Sequence, residues 1–310
     1  MFKPCITALL CAATLPAMAW NSNFSNVSFE NAAGLTIPAK LFVPAGWVAG
    51  GNQRYPAVVM LHGCSGVYSY SLPNANNSNV QTLYREWADR LVAQNMVVLV
   101  VDSFSPRKPA GQNQSECSNG AGVGISEVTD RPLDVYAARS YLDSRSDLVS
   151  AGRMALLGWS HGGSTVMTTL ADTEPDGTTS KPAAQRGFRG GVAFYPGCGL
   201  NSAYNGITNS KWRPYASVHI LAASTDKLYY DASKATQALK YPCTTRQDRA
   251  AQQGASSLTG NEVQMTVYQG AAHSFDGSDD ACVNIASTPD ACAKEQADTA
   301  ALNRLQQYLN

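Results

Sequence analysis

Charge is scarce in this chain. Lys, Arg, Asp and Glu make up 15% of its 310 residues, and the 23 basic side chains cancel the 23 acidic ones. Without an excess of either sign there is no electrostatic footprint for a polyanion or an anionic membrane surface, which argues against nucleic-acid binding. Beyond the first twenty residues no apolar run is long enough to span a bilayer, so no membrane span is expected. Internal repeats are missing, and no shift in composition marks a domain boundary. No two cysteines have the close spacing of a metal knuckle, which argues against a zinc site. Only four histidines are present, so chemistry that needs an imidazole can be assigned by elimination. Against these shortages stand 44% hydrophobic residues, enough to fill the core of one large α/β domain.

Residues 1–19 read as an export signal. Lys3 supplies the positive start, Ile6 to Leu15 the apolar stretch, and Ala17-Met18-Ala19 the small-x-small cleavage site. The expected mature chain is a single domain, residues 20–310, that is secreted or periplasmic. A lipoprotein signal ending at Cys11 competes with this, but Leu10 is large for that cleavage position and the apolar stretch before it is short. Export changes the meaning of the cysteines. With Cys5 and Cys11 removed, Cys64, Cys117, Cys198, Cys243, Cys282 and Cys292 remain, an even set in a compartment that favours disulfides. The expected pairs are Cys64 with Cys117, Cys198 with Cys243, and Cys282 with Cys292, because each joins loops expected at the same end of a sheet. A buried thiol or two is the plainer reading.

From Trp20 to Pro44 polar and apolar residues alternate, as in an antiparallel hairpin. Tyr55 to Leu61 is the first strongly apolar strand, and it runs into His62-Gly63-Cys64-Ser65-Gly66. Tyr84, Trp87, Ala88 and Leu91 recur at helical spacing. Met96 to Val101 is a buried strand, Asp130 to Tyr141 a helix with Pro132 near its start, and Met154 to Leu157 a further buried run. Strands at Gly191 to Pro196, Ser217 to Ala223 and Val263 to Tyr268 follow, with helices at Asp231 to Leu239 and Ala291 to Leu309. This alternation predicts a mostly parallel central sheet with helices on both faces. Long loops interrupt it at Tyr68 to Val80, Ser103 to Ser126 and Thr244 to Asn261.

The chemistry is written at Gly158-Trp159-Ser160-His161-Gly162, followed by Gly163. An apolar run before this Gly-x-Ser-x-Gly and a helix-forming stretch after it make a strand-to-helix turn. Such a turn strains the serine backbone and pushes the hydroxyl clear of the sheet edge. A serine hydroxyl is a weak nucleophile near neutral pH and needs a base with a group to orient it. His62 and His161 precede or adjoin the serine, and His219 lies inside an apolar strand, where a core histidine satisfied by backbone is the simpler reading. His273 remains, in the small-residue loop Gly270-Ala271-Ala272-His273-Ser274-Phe275. Among the intervening carboxylates, Asp226 comes directly after the strand ending at Ala223, at the sheet end where doubly wound folds keep their chemistry. Asp231 is the reserve. The oxyanion donors expected are the backbone N–H groups of Cys64 and His161.

His62 to Gly66, Val101 to Arg107 (VDSFSPR), Gly158 to Gly163, the Asp226 turn and Gly270 to Phe275 together resemble the dienelactone hydrolase family of α/β-hydrolases. The resemblance covers most of the chain from Tyr55 onward. It implies an α/β-hydrolase fold, the triad Ser160, Asp226 and His273, and hydrolysis of a small-molecule ester or lactone with no metal and no organic cofactor. Dienelactone hydrolases carry a cysteine nucleophile where this chain has Ser160, so a general serine esterase is implied rather than dienelactone itself. Arg107 aligns with an arginine that holds a substrate carboxylate in that family. An aromatic cleft built from Tyr68, Tyr70, Trp159 and Tyr195 would instead favour a polyester. A peptidase of the same fold and a non-catalytic exported binding protein also compete with the esterase reading.

Overall fold

Runs such as Val97–Val101, in which side chains of both parities are apolar, settle only where both faces of a sheet are covered. A computed structural model shows how this is achieved; it describes residues 24–69, 80–107, 124–197, 203–204, 212–226 and 263–310. The elements in chain order are β1 (Phe24–Glu30), β2 (Thr36–Phe42), β3 (Tyr55–Leu61), α1 (Thr82–Ala93), β4 (Val97–Val101), α2 (Arg131–Ser144), β5 (Val149–Trp159) and α3 (His161–Leu170). They continue with β6 (Gly190–Phe194), β7 (Ser217–Ala223), β8 (Val263–Tyr268) and α4 (Pro289–Leu309). The eight strands form one sheet in the order β1-β2-β4-β3-β5-β6-β7-β8. β1 and β2 form the antiparallel hairpin, and β2 also pairs antiparallel with β4; every other pairing is parallel.

Strand parity divides the core in two. Ala57, Val59 and Leu61 of β3, with Val97, Leu99 and Val101 of β4, face Val135, Ala138 and Leu142 of α2 and Val166, Met167 and Leu170 of α3. Val58 and Met60, with Val98 and Val100, face Tyr84, Trp87 and Leu91 of α1 and Ala297, Ala301 and Leu305 of α4. Each fully buried Val or Leu contributes about 1.5–3 kcal/mol, so both helical layers are held by the same alternation. Among the described residues, the strands Tyr55–Leu61, Ser217–Ala223 and Val263–Tyr268 are found with the expected ends and the other expected elements with shifted ends. β5 is longer than the apolar run Met154 to Leu157, because its polar first half still pairs Val149 with Tyr55 across an irregular register.

The strand order also locates the site. β3 leads through α1 to β4 on one side, and the chain then returns through α2 to β5 on the other, so the order reverses at β3 and leaves a crevice beyond the carboxyl ends of β3 and β5. The segment His62–Gly66 and Ser160 emerge there. The expected helix Asp231 to Leu239, the signal segment 1–19 and the loop Thr244 to Asn261 lie outside the described residues, as do most of the other two long loops. No described helix is long and apolar enough to cross a membrane.

Candidate active site

Two glycines let the turn at Ser160 close. A Cβ on Gly158 would stand 2.4 Å from the Gly162 carbonyl oxygen, and one on Gly162 would stand 2.0 Å from the Leu61 oxygen and 2.6 Å from the His62 oxygen. Only hydrogens fit between β5, α3 and the end of β3. Ser160 is left at φ 51° and ψ −113°, a conformation that L-residues with a side chain rarely adopt. Its backbone is fixed on both sides, since its N–H donates to the Phe194 carbonyl at 2.9 Å and its own carbonyl accepts from Ser164 and Gly197 at 3.0 and 2.9 Å.

His273 arrives from the other side of the sheet on the loop after β8. The Ala272 N–H donates to Asp290 Oδ1 at 2.7 Å in the first turn of α4, and the Thr225 hydroxyl donates to the Ala271 carbonyl at 2.6 Å. These bonds place His273 Nε2 2.9 Å from Ser160 Oγ and Nδ1 2.6 Å from Asp226 Oδ2. In that arrangement Ser160 donates to Nε2, and Nδ1–H donates to Asp226, which fixes the neutral tautomer a base requires. Asp226 is 4% exposed while the His273 side chain is 32% exposed, so the carboxylate is sheltered and the imidazole is partly open. Ser160, Asp226 and His273 are therefore brought into one hydrogen-bonded line.

The segment after β3 runs against the same turn: the Cβ position of Gly63 lies 3.4 Å from the Trp159 oxygen and 3.6 Å from Ser160 Cβ. Its own N–H is taken by the Tyr84 hydroxyl at 2.9 Å. Cys64 follows and is disulfide-bonded, which stiffens the strip; its expected partner, Cys117, lies outside the described residues. His161 opens α3, so its amide is among the first-turn N–H groups that have no acceptor within the helix. The disulfide Cys282–Cys292 is present, with Cα atoms 4.5 Å apart, while Cys198 and Cys243 lie outside the described residues.

The side chains expected to hold substrate are placed otherwise. Trp159 is 1% exposed and packs its ring against Tyr84, Trp87 and Phe194, because it is the last inward-facing residue of β5 and fills the α1 layer. Tyr195 is 3% exposed, with its hydroxyl donating to Asp276. Tyr68 is half-buried in a bridge with Val80, its hydroxyl beside Asp102 and its ring under Lys40 Nζ. Tyr70 lies outside the described residues; of the three that are described, Trp159 and Tyr195 are buried and only Tyr68 is partly exposed. Arg107 is committed elsewhere: Nη1 and Nη2 hold both oxygens of the fully buried Asp134 at 2.8 and 2.9 Å, and Nη1 also donates to the Ser103 carbonyl. A guanidinium spent in this fork is not presented to a substrate carboxylate.

The other histidines are accounted for individually. His62 is fully buried, Nδ1 bonding the Gly63 carbonyl at 2.7 Å and Nε2 accepting from the Ser103 N–H, and burial holds its pKa well below the ordinary 6.5. His219 bonds Thr266 Oγ1 at 2.8 Å, a side-chain partner on β8 rather than the backbone expected, and burial lowers it to about 4. His161 has its ring clamped, Nδ1 facing Arg131 Nη1 at 2.8 Å and Nε2 facing Glu127 at 2.7 Å. Arg131 is fully buried and lowered to about 10 by desolvation. Asp231, the reserve acid, lies outside the described residues.

Solved structures share this architecture. Esterase 2 of Thermogutta terrifontis phosphonylated by sarin superposes with a TM-score of 0.60 at 13% identity, over 95% of this chain and 98% of that one. Dipeptidyl peptidase 4 of Porphyromonas gingivalis gives 0.57 at 15% identity over 92% of this chain, and a puromycin hydrolase gives 0.59 at 15% identity over 95%. This chain spans 35% of the length of that peptidase and 40% of that hydrolase. No protein-family model and no curated relative matches the sequence. Sheet order, strained serine turn and these superpositions define an α/β-hydrolase fold. They extend to that fold and not to the dienelactone hydrolase family within it.

Proposed function

We propose that this protein is a serine hydrolase that cleaves carboxylic esters or lactones through an acyl-enzyme on Ser160. The observation that carries the reading is the line Ser160 Oγ–His273–Asp226, at 2.9 and 2.6 Å, poised at the carboxyl edge of a parallel sheet. His273 takes the Ser160 proton as Oγ adds to the ester carbonyl, and Asp226 stabilises the imidazolium that forms. The oxyanion rests on the backbone N–H groups of His161 and Cys64. His273 then protonates the departing alcohol, and water repeats the two steps on the acyl-enzyme to release the acid. None of these steps uses a metal or organic cofactor.

A small ester is favoured over a polymer because Trp159 and Tyr195, which would have formed an aromatic platform, are buried. The resemblance to dienelactone hydrolases supports lactones as a second substrate group, with Ser160 in place of their cysteine. The disulfide at Cys282–Cys292 and the bonded state of Cys64 support an exported chain in an oxidising compartment. The test is hydrolysis of short p-nitrophenyl esters by the wild type and Ser160→Ala, with a fluorophosphonate probe run in parallel. Wild-type turnover and labelling that both vanish in the variant are expected; equal rates reject the proposal.

A further inference from the structure

Tyr195 stands at the join between the two halves of the site. It follows β6, whose last residue, Phe194, accepts the Ser160 N–H, and two residues later the Gly197 N–H donates back to the Ser160 carbonyl. The strip from Phe194 to Gly197 thus grips the serine from both sides. On the other flank, the Tyr195 ring meets the His273 ring edge-on at 4.8 Å between centroids, and its hydroxyl donates to Asp276, three residues beyond His273 on the same loop. Tyr195 is held at φ 32° and Ser274, between His273 and Asp276, at φ 62°, so both sides of this contact sit in backbone conformations that only surrounding structure can maintain.

Asp276 is itself out of place. It is 3% exposed, and its partner is a neutral phenol rather than a cation. Its surroundings are Tyr195 from β6, Trp159 from β5 with its indole N–H close to the carboxylate, Tyr84 from α1, and Asp298 and Lys294 from α4. Burial, with Asp298 adding to it, raises its pKa to about 6, and Tyr195 and Lys294 act against that rise. His273 shares its loop and faces Asp226 on the far side.

Resting on the serine-hydrolase reading above, we infer that Tyr195 and Asp276 are positioning residues for the base: Tyr195 sets the spacing between Ser160 and His273, and Asp276 anchors the Tyr195 hydroxyl to the loop that carries His273. The two roles separate by substitution. Asp276→Asn keeps an oxygen to accept the Tyr195 hydroxyl and removes only the charge. The anchor is kept, so kcat and KM both stay within about threefold of wild type. Tyr195→Phe keeps the ring on His273 and cuts the link. Here kcat falls by about tenfold with KM within about twofold, since the ring is freed to shift beneath His273 and misplace the base.

The experiment is steady-state kinetics, kcat and KM separately, of wild type, Asp276→Asn and Tyr195→Phe on one p-nitrophenyl ester, with Ser160→Ala as the blank and thermal unfolding of each protein. A merely structural role lowers the unfolding temperature and leaves kcat of the folded protein where it was; that outcome in Tyr195→Phe overturns the inference, as does a fall of about tenfold in kcat in folded Asp276→Asn. If Asp276→Asn fails to fold, Tyr195→Phe decides alone, a lowered kcat at unchanged KM supporting the pair and an unchanged kcat refuting it. A wild type no faster than Ser160→Ala would instead overturn the serine-hydrolase reading.

Discussion

Gly162→Ala sets two physical effects of opposite sign against each other. Gly162 is the second residue of α3, and replacing a helical glycine by alanine ordinarily stabilises by about 1 kcal/mol. Here the new Cβ would stand 2.0 Å from the Leu61 oxygen, 2.6 Å from the His62 oxygen and 2.7 Å from the Leu61 carbonyl carbon, where ordinary contact begins at 3.4 Å. All three atoms are backbone of β3 and the strip after it, so no side chain can swing away. The start of α3 must retreat by about 1.4 Å, the gap between those two distances. Such overpacking costs about 1–3 kcal/mol or more and exceeds the gain in helix propensity, leaving a net loss of about 2 kcal/mol. Because Ser160 moves with the helix start, its bond to His273 lengthens from 2.9 Å, and a misplacement of about 1 Å costs roughly a hundredfold in rate. Urea unfolding and ester hydrolysis measure the two effects separately. The control is Gly124→Ala, where the added carbon meets nothing within 4 Å, and stability stays within about 0.5 kcal/mol. Wild-type stability and turnover in Gly162→Ala would refute the steric account of the turn.

Three further outcomes are expected. Ser160→Gly releases the strain of φ 51° and gains about 1 kcal/mol in unfolding free energy while ester hydrolysis disappears; unchanged stability would mean that the serine backbone is not strained. Arg107→Ala leaves KM for an ester bearing a free carboxylate within about twofold but destabilises by about 1–3 kcal/mol, because the fully buried Asp134 loses its forked partner; a tenfold rise in KM would restore Arg107 as a substrate ligand. For His219 the ordinary pKa of 6.5 falls to about 4 in the fold, so between those values the unfolded chain binds more protons and stability drops as pH falls. That difference is worth up to about 3 kcal/mol, read as wild type minus His219→Gln in unfolding free energy at pH 7 and pH 4. Asp276, raised to about 6, works in the opposite direction between pH 4 and 6, which is why the difference between variants and not the wild-type curve is the measure; a pH-independent difference would sink the assignment.

What was legible in the sequence is what short-range sterics and periodicity control. Gly158, Ser160 and Gly162 announce the turn because backbones less than a side chain apart tolerate only glycine. Parity of apolar residues along Tyr55–Leu61 and Val97–Val101 announced strands covered on both faces. With four histidines in the chain, elimination left His273, and position after β7 singled out Asp226. Side-chain direction and partner choice were decided only by the tertiary fold. Trp159 and Tyr195 read as surface aromatics beside the serine, yet the pleat of β5 turns one into the α1 layer and a positive φ turns the other beneath His273. Arg107 finds Asp134 27 residues on, Glu127 and Arg131 close on His161, and Tyr195 reaches Asp276 81 residues away. A charge or hydroxyl carries no mark in the sequence of which opposite group will come within 3 Å, because that distance is set by how the strands order themselves and the loops cross the sheet edge.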